Sequence, residues 1–476
     1  MKIQRLIRTI LALAGLLGAA TGPLEARTDD PLPAAVTNAL RATGIPTSAV
    51  GIVVQDLATS RPIVAFNAAA PLHPASTMKL VTTYAGLELL GPNYRWRTEA
   101  YLGGPLRDGT LDGDLVLKGQ GDPKITLEAF WLLLRDLRAR GLRDVKGDLV
   151  IDRSRFAPGD FDASRFDGDS TRPYNVGPDA LLLNFKSIRF QFVPDLERRT
   201  VRAFAEPRIV DIAGELRLAD TPCGDWRERM KAEFQSQGPS PKAVFSGIYS
   251  TACGDKDWQV AMLAPNQYAG SLFRLLWGEL GGLISGTVRD GVTPAGKPFA
   301  SLESASLSEA VRDINNFSNN DMARQLFLTI AAEQGGIPAT PAGAQAAIKA
   351  WLAKKGLDFP ELVMENGSGL SRIERISAQS LSTLLVTAFR SPVMPELLAS
   401  LPLVAVDGTM RRRLKSESIA GQAHIKTGSL ADVRAIAGYV LDRNGRRHAV
   451  TMIVNHANAQ QSQAAQDALL NWVYTR

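Results

Sequence analysis

A serine and a lysine stand three residues apart in the stretch HPASTMKL, residues 73–80, at the start of a predicted helix. On a helix, positions i and i+3 share one face with Cβ atoms roughly 5–6 Å apart, so Lys79 can reach the hydroxyl of Ser76. A lysine amine whose pKa is lowered by burial or by a neighbouring cation can take the serine proton. The pair could therefore perform acyl transfer without a histidine, whereas the alternative is that Ser76 only caps the helix.

Two further motifs favour the catalytic interpretation. Ser318 and Asn320 belong to the only Ser-x-Asn tripeptide of the chain, and Lys426 begins the only Lys-Thr-Gly. Taken singly, Ser318 could cap a helix with Asp321 as its partner, and Lys426 could be a solvated strand residue. The three motifs in this order are the signature of penicillin-binding proteins and β-lactamases.

The chain resembles the class C low-molecular-mass penicillin-binding proteins, the D-Ala-D-Ala carboxypeptidases and endopeptidases of the bacterial periplasm (peptidase family S13). A separation of 242 residues between Ser76 and Ser318 is part of this resemblance, because a large insertion divides these motifs in that family. Other similar stretches are KGQGDP at 118–123, NGSGLSR at 366–372, VDGTM at 406–410 and KTGSL at 426–430. The resemblance covers essentially the whole mature chain.

The resemblance implies a role for each of five catalytic residues. Ser76 would be the acylated nucleophile and Lys79 its base. Ser318 would relay a proton to the leaving amine, while Asn320 would hold the substrate amide. Lys426 would keep Lys79 neutral by like-charge proximity and would attract the substrate carboxylate. No cofactor is implied, and the four histidines have no metal-ligand spacing.

The resemblance also implies two groups of substrate-binding residues. The first is Thr427, Gly428 and Ser429, where the two hydroxyls would bind the substrate carboxylate and the backbone N–H groups of Ser76 and Ser429 would form the oxyanion hole.

The second group would read the side chain of the peptide and consists of Asp169, Tyr174 and Arg372. Asp167 is a rival for Asp169, and a surface salt bridge is the alternative for Arg372. The ligand end would carry an ammonium and a carboxylate, as in meso-diaminopimelate.

The elements that must position these residues follow an α+β pattern. A hairpin is predicted over 50–54 and 62–66, followed by the helix that carries Ser76. A second hairpin turns at Asn444-Gly445, and a capping box joins Ser306 to Glu309 at a helix start. Two similar strands contain Gly-Asp-Leu-Val at 113–116 and 147–150, with a helix over 128–140 between them.

We therefore predict a β-lactamase/DD-peptidase-like domain, an antiparallel sheet flanked by helices, at 27–95 and 291–476. A β-rich insertion at 96–290, forming two small domains, would divide it.

The composition indicates an exported globular protein. The chain has 476 residues, of which 45% are hydrophobic and 21% are charged. Residues 1–26 have the basic start, short apolar run and small residues of a signal peptide, with cleavage near 20 or 26. The mild positive charge argues against a nucleic acid partner. No apolar run reaches the roughly 20 residues that span a bilayer, and the basic run at 410–415 allows at most peripheral contact with a membrane or an anionic wall polymer.

The two cysteines of the chain, Cys223 and Cys253, are separated by 30 residues in loop-like sequence. In an exported protein they predict one disulfide, and two unpaired thiols are the alternative.

The predicted protein is a periplasmic serine DD-peptidase that forms an acyl-enzyme on Ser76. It would remove the terminal D-alanine of peptidoglycan stem peptides ending in D-Ala-D-Ala and cleave the cross-links between D-alanine and a diamino acid. β-Lactams would acylate it as inhibitors. The alternatives are a β-lactamase, for which no deacylating glutamate motif of the class A kind is recognisable, and a non-catalytic penicillin-sensing or wall-binding module.

Overall fold

The computed structural model describes residues 32–159, 161–236 and 240–476, and the predicted signal peptide lies outside the described residues. In that part of the chain the α-helices are α1 Ala34–Ala42, α2 Lys79–Leu90, α3 Leu127–Ala139, α4 Pro265–Glu279, α5 Leu307–Asn316, α6 Asn320–Gly335, α7 Pro341–Lys354, α8 Ala378–Phe389, α9 Met394–Ser400 and α10 Gln463–Tyr474. Among them, none has both the length and the apolar character that crossing a bilayer requires.

The β-strands follow the same numbering along the chain. They are β1 Val50–Asp56, β2 Pro62–Phe66, β3 Arg97–Leu102, β4 Leu106–Arg107, β5 Thr110–Leu111, β6 Leu115–Lys118, β7 Asp144–Val145, β8 Leu149–Asp152, β9 Ile188–Asp195, β10 Thr200–Glu206, β11 Asp211–Ala213, β12 Leu216–Ala219, β13 Met230–Gln235, β14 Lys242–Ser250, β15 Lys256–Val260, β16 Leu283–Ile284, β17 Val288–Asp290, β18 Ala300–Glu303, β19 Ala423–Leu430, β20 Val433–Leu441 and β21 Arg447–Asn455.

One antiparallel sheet joins the two ends of the chain in the order β19-β20-β21-β1-β2. Its strands alternate between two cores, as the period of a strand requires. On one face Ile436 and Val440 pack with α1 and α10, and on the other Ala435 and Tyr439 pack with α2 and α5–α9. Both predicted hairpins and the predicted α+β class are confirmed.

The chain between α2 and α5 forms three further sheets. β6 and β8, the two strands with the shared Gly-Asp-Leu-Val sequence, are parallel neighbours in the order β17-β8-β6-β3-β18. A four-stranded sheet has the order β16-β7-β5-β4, and a seven-stranded sheet has β11-β14-β12-β10-β9-β15, with β13 paired to β14. A separate hydrophobic core around α3 and α4 holds these sheets together.

The predicted disulfide is confirmed, since Cys223 and Cys253 are bonded to each other. Cys253 is buried and belongs to the core of the insertion. The capping box is also confirmed, because Glu309 accepts a hydrogen bond from the backbone of Ser306.

We expect the double variant Cys223→Ser/Cys253→Ser to lower the free energy of unfolding by roughly 3–4 kcal/mol, the chain-entropy value for a loop of about 30 residues. Urea unfolding followed by tryptophan fluorescence measures this, since Trp226 and Trp258 lie in the same aromatic cluster of the insertion. The wild type under reducing conditions is the matched control. An unchanged midpoint, or alkylation of both thiols in the native unreduced protein, would contradict the prediction.

Candidate active site

Ser76 lies in a single 3₁₀ turn, Ala75–Met78, that leads into α2. Within residues 32–159, no side-chain oxygen caps this turn or the helix that follows it. Ala75 has a φ of 46°, a left-handed conformation that costs about 1–3 kcal/mol in a residue with a side chain. The helix-cap interpretation of Ser76 is therefore wrong, and the turn presents the hydroxyl instead to Lys79.

The side-chain amine of Lys79 is fully buried and, among the described residues, has three hydrogen-bond partners. Its Nζ lies 3.0 Å from Ser76 Oγ, 2.6 Å from Asn320 Oδ1 and 2.5 Å from the carbonyl oxygen of Ser368. Burial, followed by the charge of Lys426, holds the pKa of Lys79 well below its ordinary value. A neutral amine donates two hydrogens, which match Asn320 and Ser368, so its lone pair is left facing Ser76.

Ser318 and Lys426 form the second pair of the site. Lys426 Nζ donates to Ser318 Oγ at 2.9 Å and to the carbonyl of Thr427 at 2.8 Å. Burial lowers the pKa of Lys426 to about 7. Lys426 is not the solvated strand residue of the alternative interpretation, and Ser318 does not cap α6, because Asn319 accepts the bond from the backbone of Met322.

The Lys-Thr-Gly strand, β19, packs directly against the turn that carries Ser76. A Cβ atom at Gly428 would lie 2.7 Å from the carbonyl oxygen of Pro74 and 3.0 Å from the nitrogen of Ser76. Only glycine permits this approach, which explains the residue type at 428. The Thr427 hydroxyl bonds to that of Thr409, so the VDGTM stretch supports this strand.

The Ser429 hydroxyl lies at the open end of β19. It accepts a hydrogen bond from Arg434 Nη1 at 3.0 Å and donates to Gln460 Oε1 at 3.1 Å. Its orientation is therefore fixed by the half-buried Arg434 and the exposed Gln460.

The NGSGLSR stretch owes its shape to a buried carboxylate. Glu374 Oε1 accepts backbone N–H bonds from Glu365, Asn366 and Gly367 at 3.0–3.1 Å. This holds the loop so that the carbonyl of Ser368 points at Lys79. The sequence marked the loop as a similar stretch but did not indicate this role of Glu374.

Arg324 joins the insertion to the Ser-x-Asn helix and was not predicted. It is buried on α6, one turn after Asn320, and donates to the carbonyls of Tyr174 at 3.2 Å and Val176 at 2.6 Å. Asn320 Nδ2 also lies 3.5 Å from the Tyr174 carbonyl. The i, i+4 spacing of Asn320 and Arg324 was the available signal.

The predicted side-chain pocket is only partly brought together. Arg172 bridges two of its members, donating to Asp169 Oδ2 at 2.9 Å and to the Tyr174 hydroxyl at 2.5 Å. The hydroxyl of Tyr174 itself donates to Asp167 at 2.7 Å. The carboxylate of Asp169 is 39% exposed and that of Asp167 is 17% exposed, so Asp169 is the more accessible acid.

Arg372 lies against the same segment of the insertion. It donates to the carbonyl of Phe166 at 3.0 Å, and its guanidinium carbon is 4.3 Å from the centre of the Phe166 ring. In the described residues it forms no salt bridge, so the surface salt bridge of the alternative interpretation is absent there. In the same part of the chain, no three His, Cys, Asp or Glu residues are grouped so that they could hold a metal ion.

A family comparison decides the identity of this fold and site. Residues 32–475 match the D-Ala-D-Ala carboxypeptidase 3 (S13) family. The chain belongs to this family. It is thus a class C low-molecular-mass penicillin-binding protein and a serine-type carboxypeptidase, as the sequence predicted.

Two relatives and a solved structure illustrate the similarity. The chain is 30% identical to a D-alanyl-D-alanine carboxypeptidase of Actinomadura sp. (strain R39) over 437 residues, which cover 88% of this chain and 80% of the relative. It is 24% identical to the D-alanyl-D-alanine carboxypeptidase DacB of Haemophilus influenzae, with 86% and 85% covered. The crystal structure of penicillin binding protein 4 from H. influenzae matches with a TM-score of 0.78 and 23% identity, over 93% of this chain and 99% of that one. This structural match establishes the fold.

Proposed function

We propose that this S13 peptidase acts through an acyl-enzyme on Ser76, removing terminal D-alanine from stem peptides and cutting the cross-links between D-alanine and a diamino acid. The supporting observation is the placement of Lys79, a buried amine of lowered pKa whose Nζ lies 3.0 Å from Ser76 Oγ. This is the geometry that nucleophilic catalysis by serine needs.

In the acylation step Ser76 Oγ bonds to the D-alanyl carbonyl carbon while its proton moves to Lys79. The backbone N–H groups of Ser76 and Ser429 stabilise the oxyanion. The bond between carbonyl carbon and nitrogen then breaks, and the leaving nitrogen takes a proton from Ser318, which Lys426 resupplies at 2.9 Å. Water later adds to the ester carbon, and the bond from this carbon to Ser76 breaks. Ser76 recovers its proton from Lys79, and the proton released by the water restores Lys426.

Four residues would hold the reacting peptide segment. Thr427 and Ser429, with the charge of Lys426, receive the carboxylate, and Asn320 receives the substrate amide. β-Lactams would acylate the same serine. A β-lactam complex has been solved for the H. influenzae protein of the same fold, which supports this extension.

We also propose that the chain works in the periplasm after removal of the predicted signal peptide, since a disulfide suits an oxidising compartment. The parts before and after the insertion would form the penicillin-binding domain. The pairing of β18 with β3 supports a C-terminal limit of the insertion near residue 303, later than the limit of 290 predicted from the sequence.

Digestion of purified cross-linked peptidoglycan, with products identified by mass spectrometry, tests the proposal. We expect loss of D-alanine from pentapeptides and conversion of cross-linked dimers to monomers. Fast turnover of penicillin would indicate a β-lactamase instead, and the absence of any peptide product would indicate a non-catalytic module.

The side-chain pocket gives a separate prediction. Asp169→Ala should lower kcat/KM for a diaminopimelyl peptide roughly tenfold or more, because a hydrogen bond to a charged group contributes about 1.5–3 kcal/mol. Its acylation by a simple penicillin should barely change, since that molecule lacks the side chain. Asp167→Ala tests whether Asp167, the alternative acid, has this role instead. Asp358→Ala is the control, because it removes an exposed acid in the loop that follows α7. Equal losses on both substrates would show that Asp169 supports the fold and not recognition.

A further inference from the structure

A cavity of about 720 Å³ opens beside Ser318, between the Ser-x-Asn motif and the insertion. One wall comes from the residues around the motif and the other from the seven-stranded sheet. The side chains used in the argument are Phe317, Ser318 and Asp321 on the first wall and Arg189, Glu206 and Gln259 on the second. None of the roles described above uses the second wall.

The second wall presents a row of three polar side chains. Arg189 on β9 stands opposite Glu206 on β10 and opposite Gln259 on β15, so the three lie side by side on one face of the sheet. Arg189 and Glu206 are exposed, and within residues 161–236 and 240–476 neither forms an ion pair or a side-chain hydrogen bond. Their charges are therefore open to a ligand.

The first wall contains an acceptor without a hydrogen-bond partner. Asp321 is 5% exposed, and its Oδ1 accepts no hydrogen bond from the described residues. Arg324 Nη1 lies 3.5 Å from this oxygen and forms an ion pair with it. A buried acceptor left in this way is costly unless a ligand or water supplies a donor. Beside it the ring of Phe317 is 64% exposed, which offers an apolar contact at the mouth of the cavity.

The turn at 184–186 places the two walls relative to each other. Asn184, Phe185 and Lys186 have φ values of 45°, 52° and 55°, and each left-handed residue costs roughly 1–2 kcal/mol. Bonds from Asn184 to the Ile125 carbonyl and to the Tyr268 hydroxyl maintain the turn. Phe185 packs against the core that also contains α2 and α6. Arg189, the second residue of β9, lines the same cavity as Ser318. Strained backbone conformations of this kind cluster at functional sites.

We infer that this cavity is the subsite for the peptide that leaves when a cross-link is cut. The inference rests on the proposed function, in which the leaving nitrogen takes its proton from Ser318. A departing peptide therefore begins at the mouth of this cavity. A single D-alanine is far smaller than 720 Å³, whereas ligand pockets of about 300–1,000 Å³ accommodate larger molecules.

The lining combines one cation, Arg189, with the acids Glu128, Glu206 and Asp321, so it suits a peptide that presents one carboxylate and several amide N–H groups. Arg189 can bind a carboxylate of the leaving strand, and the exposed Glu128 and Glu206 can accept from its N–H groups. Gln259 can pair with a peptide unit through its own amide. These contacts would be made only with a cross-linked substrate.

The test compares two substrates on one variant. The probes are a cross-linked peptide dimer freed of its sugars and a monomeric pentapeptide that releases only D-alanine. Arg189→Ala should lower kcat/KM for the dimer about tenfold or more, the effect of one charge-assisted hydrogen bond, and leave release of D-alanine from the monomer within twofold. Arg189→Lys should recover much of the loss on the dimer because it restores the charge.

The matched control is Arg217→Ala. Arg217 is exposed on the same sheet and pairs with Thr200, six residues along β10 from Glu206, or roughly 20 Å at strand spacing. It should be neutral on both substrates.

Different outcomes would refute the subsite and the proposed function. A wild type that releases D-alanine but leaves the dimer intact would refute the cross-link activity, and the subsite with it. A wild type that cuts the dimer, with Arg189→Ala unchanged, would refute the subsite alone. Equal losses on monomer and dimer would assign Arg189 to the fold, and a loss seen only when the dimer carries its sugars would assign the cavity to the glycan.

Discussion

Replacing Ser76 by alanine should abolish labelling by a fluorescent penicillin and lower kcat/KM for release of D-alanine by about 10⁴-fold or more. The magnitude follows from loss of the nucleophile, after which only the binding and oxyanion groups still lower the barrier. The fold should survive, because among the described residues the Ser76 hydroxyl caps no helix and has Lys79 as its one hydrogen-bond partner. Intact-mass measurement of the penicillin adduct and assay of free D-alanine give the two readouts.

Ser301→Ala is the matched control, since Ser301 is exposed on β18, in the sheet β17-β8-β6-β3-β18. It should react with penicillin as the wild type does. Peptide mapping should place the label on Ser76 and nowhere else. Full labelling of Ser76→Ala, or a label mapped to another residue, would contradict the acyl-enzyme proposal.

The features that could be predicted from the sequence are those that depend on a local pattern of residues. The Asn444-Gly445 turn and the alternation of β20 and β21 define a hairpin within one short stretch, and the structure has it. The three motifs also predicted the family, because each requires only residue types at a fixed short spacing. Their assembly follows from the strand order β19-β20-β21-β1-β2, which brings Lys426 beside the turn before α2.

What the sequence could not predict depends on contacts between distant segments. The Ser368 carbonyl that orients Lys79 is 289 residues away from it in the chain, and its position depends on the buried carboxylate of Glu374. Arg324 likewise acts on carbonyls of the insertion about 150 residues earlier. Choosing among neighbours was equally difficult, since Asn319 and not Ser318 caps α6.

Replacing Lys79 by alanine should slow acylation by penicillin at least 10²-fold, the low end for a positioned general base. Lys79→Arg should fail as well, because a guanidinium stays protonated and has no lone pair for the Ser76 proton. Lys349→Ala, an exposed lysine on α7, is the matched control and should leave the rate unchanged. Circular dichroism and thermal unfolding establish that the variants are folded, which matters because Lys79 is buried.

The pH profile distinguishes a base from a merely structural lysine. In the wild type the acylation rate should rise with pH as Lys79 loses its proton, since burial and the charge of Lys426 set its pKa well below the ordinary value. It should fall again above about pH 7, where Lys426 loses the charge that attracts the carboxylate. Lys79→Ala should lose the rising limb and keep the falling one, because Lys426 remains. A variant that acylates at the wild-type rate, or that keeps the rising limb unchanged, would show that another group takes the Ser76 proton.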